Sequence, residues 1–293
     1  MSETLLTTKA PPSRRKLIWH QFRRHKLALF GLIVLTILIF VAFFSESIAP
    51  YDPNAIDAAY AGGKPQPPSL EHVFGTDNYG RDYFSRAIFG MRISLVVGVT
   101  AVIFQLVIGV TIGATAGYFG GGIDNFLMRI TDIFLSIPSF FVLLILAGVF
   151  EGTLLSLIFA IGVLSWMTVA RLVRAEFLSL RQREFIEAAR CVGVPGWRLA
   201  TRHLLPNALA PIIVAATLSV PYAVLTESAL SFLSLGVPPP NASLGNMLED
   251  AQKWLRTAWW IWVVPGVLIS LIVLTFNFVG DGLRDALDPK LQR

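Results

Sequence analysis

The sequence predicts an all-α integral membrane protein with six transmembrane helices and both termini on the inner side. Three observations lead there. Only 15% of the 293 residues are charged and 54% are hydrophobic, with a mean hydropathy of +0.64, whereas a soluble domain carries roughly 25% charged residues. The apolar residues form discrete blocks of the length needed to cross a bilayer, roughly 20 helical residues for ~30 Å. Lys and Arg concentrate on alternate polar segments, the pattern of charges held at the inner face. Together these exclude a soluble single-domain enzyme, a disordered chain and a disulfide-stapled secreted protein. The clustering beside apolar spans also argues against nucleic acid as the partner of the +5 net charge; membrane lipid is the expected neighbour.

The elements follow in order. Residues 1–26 form a basic arm in which Leu17, Ile18, Trp19 and Phe22 alternate with Arg14, Arg15, Lys16, Arg23, Arg24 and Lys26. Two readings stand: a helix lying on the inner membrane surface, or a flexible arm that only sets orientation. The first span, Leu27 to Phe44, is uncharged. It is longer than an ordinary signal-peptide core and no A-x-A site follows, so it reads as a retained helix. Residues 45–92 form an external Pro/Gly-rich segment, with Pro50-Tyr-Asp-Pro53 and Gly62-Gly-Lys-Pro-Gln-Pro-Pro68. It reads as a cap over the outer mouth, a docking surface, or a plain solvated connector.

A five-helix core occupies residues 93–280. Its spans are expected at about Ile93–Phe119, Ile130–Phe150, Thr153–Ala170, Ala208–Leu235 and Ala258–Val279. Pro211 and Pro221 are tolerable inside a span because neighbouring helices satisfy the freed carbonyls. A cytoplasmic tail, residues 281–293, closes the chain. With the N-terminus inside, cytoplasmic segments hold 18 of the 24 Lys and Arg and external segments six. That bias fixes an N-in, C-in topology.

Gly109, Gly113, Gly117 and Gly121 recur every fourth residue, forming a face on which two helix backbones can approach closely. The loop between spans four and five, residues 171–207, has more to say. Phe185, Ala188, Ala189 and Val192 mark one stripe of a short amphipathic helix, with Arg183, Glu184, Glu187 and Arg190 beside it. Gly193 stands where a helix end calls for a left-handed residue, and Pro195 suits the start of the next helix. Trp197, Ala200 and Leu204 give that second helix an apolar stripe. Seven arginines against three glutamates leave the loop at about +4. A projecting helix–turn–helix of this kind fits a groove on another protein; a loop folded back on the membrane face has the same periodicity.

Glu187-Ala-Ala189, three residues, Gly193, nine residues and His203-Leu-Leu-Pro206 resemble the EAA signature of ABC-importer permeases, with His203 where the general pattern has Ile. Further stretches resemble the dipeptide/oligopeptide permease branch. These are Phe74-Gly-Thr-Asp-Asn-Tyr-Gly-Arg-Asp82, Gly90-Met-Arg-Ile-Ser-Leu95, Gly117-Tyr-Phe-Gly-Gly121, Thr226-Glu-Ser-Ala-Leu-Ser-Phe-Leu233 and Gly280-Asp-Gly-Leu-Arg-Asp-Ala-Leu-Asp-Pro289. The arm, the long external segment and the Asp-Pro-Lys tail are similar to the second, C-type permease subunit of such importers.

The resemblance implies a type I ABC importer permease fold in a bacterial or archaeal cytoplasmic membrane. It implies a heterodimer with a homologous permease, two cytoplasmic ATPases that bind ATP and Mg, an external peptide-binding protein and a peptide cargo. By the same resemblance Glu187, Ala188, Ala189, Gly193, Val194, Pro195 and Trp197 form the coupling surface for one ATPase. Glu187 would be its charged contact, the alanines the small packing residues and Gly193 the turn. Nickel, opines, glutathione or oligosaccharides are alternative cargoes within the family; a self-sufficient channel or secondary transporter is the alternative outside it.

No cofactor, metal or catalytic residue is expected in the chain. It has no G-x-x-x-x-G-K-[ST] phosphate loop, no nucleophile–base pair and no metal-ligand spacing among its four histidines and single Cys191. Charged residues inside a span are functional candidates. Glu227 is placed deep in span five, either lining the substrate path or bonded to a neighbouring helix. Asp132, near the inner surface, is expected to make a local hydrogen bond. Gln105 and Asn277 are expected to bond between helices.

Overall fold

In a computed structural model of the chain, residues 14–57, 63–149 and 153–287 are described. The expected arm before residue 14, Gly62, the end of span three at Phe150 and the tail from residue 288 lie outside them. Among the described residues the regular elements are helices, joined by irregular segments that include an isolated bridge between Thr76 and Asp82. The helices are α1 (Arg14–Arg24), α2 (Lys26–Phe43), α3 (Ser45–Ile48), α4 (Tyr83–Phe119), α5 (Gly121–Ser136), α6 (Ser139–Val149) and α7 (Leu154–Val163). Then come α8 (Trp166–Arg181), α9 (Glu184–Cys191), α10 (Gly196–Arg198), a π-helical stretch Leu199–Leu204, α11 (Leu205–Phe232), α12 (Leu244–Ala251) and α13 (Trp259–Leu287). Five helical runs are long and apolar enough to cross a membrane, and the bent α5–α6 pair makes a sixth.

The basic arm is helical from Arg14. Phe22 of α1 is buried against α13, and His25 Nδ1 accepts the Ala28 amide at 3.0 Å to cap α2. Gly31 of α2 lies so close to α13 that a Cβ there would sit 2.8 Å from Phe278 Cβ. The external segment is pinned at several points. The Tyr51 amide donates to Ser85 Oγ at 3.3 Å and Arg86 donates to the Pro53 carbonyl at 3.3 Å. The Thr76 amide donates to the Gln66 carbonyl at 3.1 Å and the Gln66 amide to Thr76 Oγ1 at 3.1 Å.

Three expected boundaries are corrected. Span two begins at Tyr83 rather than near Ile93, because Asp82 is an N-cap whose Oδ2 accepts the Ser85 amide at 2.8 Å. The resulting helix of 37 residues is roughly 55 Å long, so it projects beyond the hydrocarbon and carries Arg86 and Arg92 with it. Span three begins at Gly121 and is bent by 78° between α5 and α6. Pro138 sits in the break, where it has no amide to continue the ladder. Span four continues past Ala170 to Arg181, so Arg171 and Arg174 belong to α8 and not to the loop.

The main core lies between α2, α4, α7, α11 and α13. Beside it α4 and α8 pack along the glycine row. A Cβ on Gly109 would lie 2.8 Å from Val169 Cβ, one on Gly113 2.9 Å from Val173 Cβ, and one on Gly117 2.6 Å from Phe177 Cβ. Only glycine permits this approach. Gly121 is not part of the row: it follows the end of α4, opens α5, and has nothing near its would-be Cβ.

Candidate functional site

The loop after α8 is anchored by residues that lie off the Phe185–Val192 stripe read from the sequence. Ile186, Leu199 and Leu204 are fully buried with Val173 and Phe177 of α8 and Ala208 of α11, and Ala189 is half-buried beside them. The apolar stripe read from the sequence points outward: Phe185 is 45% and Val192 84% exposed, and Ala188 is also exposed. In the second helix it is again Leu204 that packs inward, while Trp197 is 64% exposed with the Arg198 guanidinium 5.2 Å from its ring centre. Periodicity finds an apolar face but does not say whether this chain covers it.

The turn is built as the spacing suggests. Gly193 has φ +80°. Its amide donates to the Arg190 carbonyl at 2.9 Å, and the Val194 amide donates to the Ala189 carbonyl at 3.1 Å. These two bonds are the Schellman closure of a helix. Pro195 is extended and caps the next helix, with its carbonyl accepting the Leu199 amide at 3.0 Å. That next helix is not a separate element. It runs through the π-helical stretch directly into α11, so loop and span five form one continuous rod. Glu187 stands exposed beside the outward stripe, with no ion-pair partner among the described residues.

Glu227 is fully buried. Ser94 Oγ of α4 and Ser231 Oγ of α11 each donate to its carboxylate at 2.7 Å, and Ser228 Oγ lies at 3.4 Å. The serines pass the connection on, since Ser231 Oγ accepts the Val237 amide at 3.1 Å and Ser94 Oγ the Leu244 amide at 3.4 Å. Glu227 therefore joins spans two and five to the first residue of α12, and shows its carboxylate to no open surface in this conformation. Ser228 and Ser231 were visible at one and four residues from Glu227; Ser94 was not.

Long-range charge pairs were missed altogether. Arg174 of α8 holds Asp124 of α5 bidentately, with Nη2 to Oδ2 at 2.6 Å, and Arg171 pairs with Asp132. Asp132 of α5 thus bonds across to α8, correcting the local bond expected for it. Outside, Asp77 accepts Arg81 Nε at 2.6 Å and lies 3.5 Å from Arg86 Nε, while Arg81 reaches Asp250 of α12 at 3.9 Å. Burial pushes the Asp250 carboxyl above its ordinary value, with Arg86 and Arg81 opposing. Gln105 Nε2 donates to Ser219 Oγ at 3.1 Å, linking α4 to α11.

A family model described as the binding-protein-dependent transport system inner membrane component matches residues 109–293. The chain belongs to that family. A second model, the N-terminal transmembrane domain of oligopeptide transport permease C, matches residues 13–68 of this inner membrane component. Among its relatives, the dipeptide transport system permease protein DppC of Alkalihalophilus pseudofirmus is 43% identical, covering 93% of this chain and 88% of the relative. The oligopeptide transport system permease protein OppC of Bacillus subtilis is 41% identical with the same coverage. In fold, the inner membrane component is similar to an inward-facing MetNI methionine ABC transporter chain. The TM-score is 0.58 at 23% identity, over 69% of this chain and 97% of that one. A multi-pass chain of this family resides in the inner membrane, and its fold is that of a type I ABC importer permease.

Proposed function

We propose that the chain is the transmembrane permease subunit of an ATP-driven importer of di- and oligopeptides. Its partners are a homologous second permease, two cytoplasmic ATPases that hold ATP and Mg, and an external binding protein that delivers the peptide. The observation that carries this reading is the cytoplasmic loop. A Schellman-closed turn presents Phe185, Ala188, Val192 and Trp197 outward beside Glu187, which has no ion-pair partner among the described residues. An exposed apolar stripe with a carboxylate on its rim suits insertion into a groove with a basic contact. The peptide cargo is supported by the names of the DppC and OppC relatives and by a similarity that spans 93% of this chain.

The mechanism is alternating access. ATP binding closes the two ATPases, and the coupling loops move with them. Because α10 is continuous with α11, tilting the loop tilts span five, and through the α4–α8 glycine row and the Arg174–Asp124 pair the neighbouring spans follow. This subunit binds no nucleotide and performs no bond chemistry; its residues transmit displacement and shape the passage.

The test is uptake of labelled di- and tripeptides in a strain lacking this chain. Uptake is expected to disappear on deletion and return with the intact gene. Peptide uptake unchanged by deletion would contradict the proposal.

A further inference from the structure

Resting on that functional reading, we infer that a neutral cleft beside the break in span three is where this subunit holds the passing peptide, through the peptide's backbone. The cleft measures about 650 Å³, within the roughly 300–1,000 Å³ of small-molecule sites. It lies between the α5–α6 bend, α8 and the middle of α11, with Gln105 of α4 at its base.

Three features of its wall point to one occupant. First, Ile137 and Pro138 bring irregular backbone to the surface in the middle of a span. Pro138 has no amide, and no hydrogen bond to the Ile137 carbonyl forms among the described residues. Lipid-exposed backbone of this kind is not tolerated; it must be covered by protein or face water. Second, the side-chain hydroxyls of Ser139, Thr168 and Tyr222 line the cleft, and among the described residues none has a hydrogen-bond partner. Polar groups at this depth face a bundle interior or a water-filled cavity. Third, the lining includes no Asp, Glu, Lys, Arg, His or Cys. It therefore offers no carboxylate, imidazole or thiolate ligand for a metal cation and no charge to select a side chain.

The remaining surface is apolar, with unpaired donors and acceptors spaced along it. A peptide backbone, neutral and alternating N–H with C=O, is complementary to such a wall whatever its side chains are. The expected consequence is transport with little dependence on the charge of the cargo's side chains.

The experiment uses the assembled transporter in a Cys191→Ser background, in which the chain has no other cysteine. Thr168→Cys, Ser219→Cys and Tyr222→Cys are compared with Val107→Cys, on the exposed apolar face of α4, for reaction with a membrane-impermeant methanethiosulfonate. Because the three positions lie on two helices, only variants that retain uptake need be read. The expected result is reaction several-fold faster than at Val107→Cys, slowed several-fold by excess trialanine and equally by tripeptides bearing Lys or Glu. Rates no higher than at Val107→Cys would mean that lipid or the partner permease seals the cleft, and would overturn the inference. So would reaction that trialanine does not slow, or that maltotriose slows instead. Trialanine uptake by the Cys191→Ser parent separates the two claims: uptake with an inert cleft removes only this inference, and absent uptake, with the unmodified chain equally inactive, removes the proposed function.

Discussion

The Val194 amide donates to the Ala189 carbonyl at 3.1 Å, across the single left-handed residue Gly193. This bond fixes the angle between α9 and the rod that becomes span five. Glu187, Ala188 and Val192, proposed above to meet the ATPase, precede it and Trp197 follows it, so their relative positions depend on one backbone conformation. The buried anchors Ile186, Leu199 and Leu204 hold the same turn against α8.

Replacing Gly193 therefore acts through backbone conformation alone, since nothing lies within 4 Å of its would-be Cβ. Holding an ordinary L-residue in that region costs about 1–2 kcal/mol. Gly193→Val is expected to lower peptide uptake severely while the chain still reaches the membrane, and Gly193→Asn to restore part of it because Asn tolerates the left-handed region. Uptake per unit of membrane protein is the readout. Full uptake in the valine variant would show that the turn angle does not matter.

Reversing the charge of Glu187 tests the rim of the same surface. The side chain is exposed and has no ion-pair partner among the described residues, so Glu187→Arg breaks no ion pair seen there. Normal membrane abundance with lost uptake is expected, and ATPase activity that no longer responds to peptide. Normal uptake at normal abundance would sink the assignment.

Gly113→Leu addresses the α4–α8 contact. Even the first added carbon falls 2.9 Å from Val173 Cβ, and backbone of Ala170 lies as close. Overpacking of this kind costs typically 1–3 kcal/mol, and more where backbone is the obstacle. Lower thermal stability in detergent and reduced membrane abundance are expected, whereas Val107→Leu on the exposed face should change neither.

Glu227 separates packing from polarity. Glu227→Ala leaves the Ser94 and Ser231 hydroxyls buried without their acceptor, at about 1–3 kcal/mol for each unsatisfied group. Glu227→Gln keeps the shape and one acceptor oxygen. The alanine variant is thus expected to melt well below the glutamine variant in detergent. Equal melting temperatures would show that the serine connections add nothing to the outer half of the bundle.

Six apolar blocks and the turn at Gly193 were legible because hydropathy and a lone glycine each act locally. Helix ends were not. Arg86, Arg171 and Arg174 looked like loop residues, yet each lies in a helix; Arg86 meets Asp77 just before its own helix, and Arg171 and Arg174 find partners far along the chain in Asp132 and Asp124. Such pairings depend on which helices become neighbours. In α9 the stripe of Phe185 and Val192 was legible and is exposed, whereas the buried anchor, Ile186, lies off that period and was not foreseen. An apolar face awaiting another protein follows the same period as one packed in a core. In span three the signal was present in Pro138 but was read as part of a continuous helix; a proline preceded by Ser136-Ile137 marks a break.

The most direct test is affinity purification of the chain from native membranes in mild detergent, with subunits identified by mass spectrometry and ATP hydrolysis assayed. The account predicts a second multi-span permease and one or two P-loop ATPases in the same particle, with hydrolysis that Glu187→Arg disconnects from peptide. A stable preparation of this chain alone in several detergents, with no ATPase subunit, would contradict it.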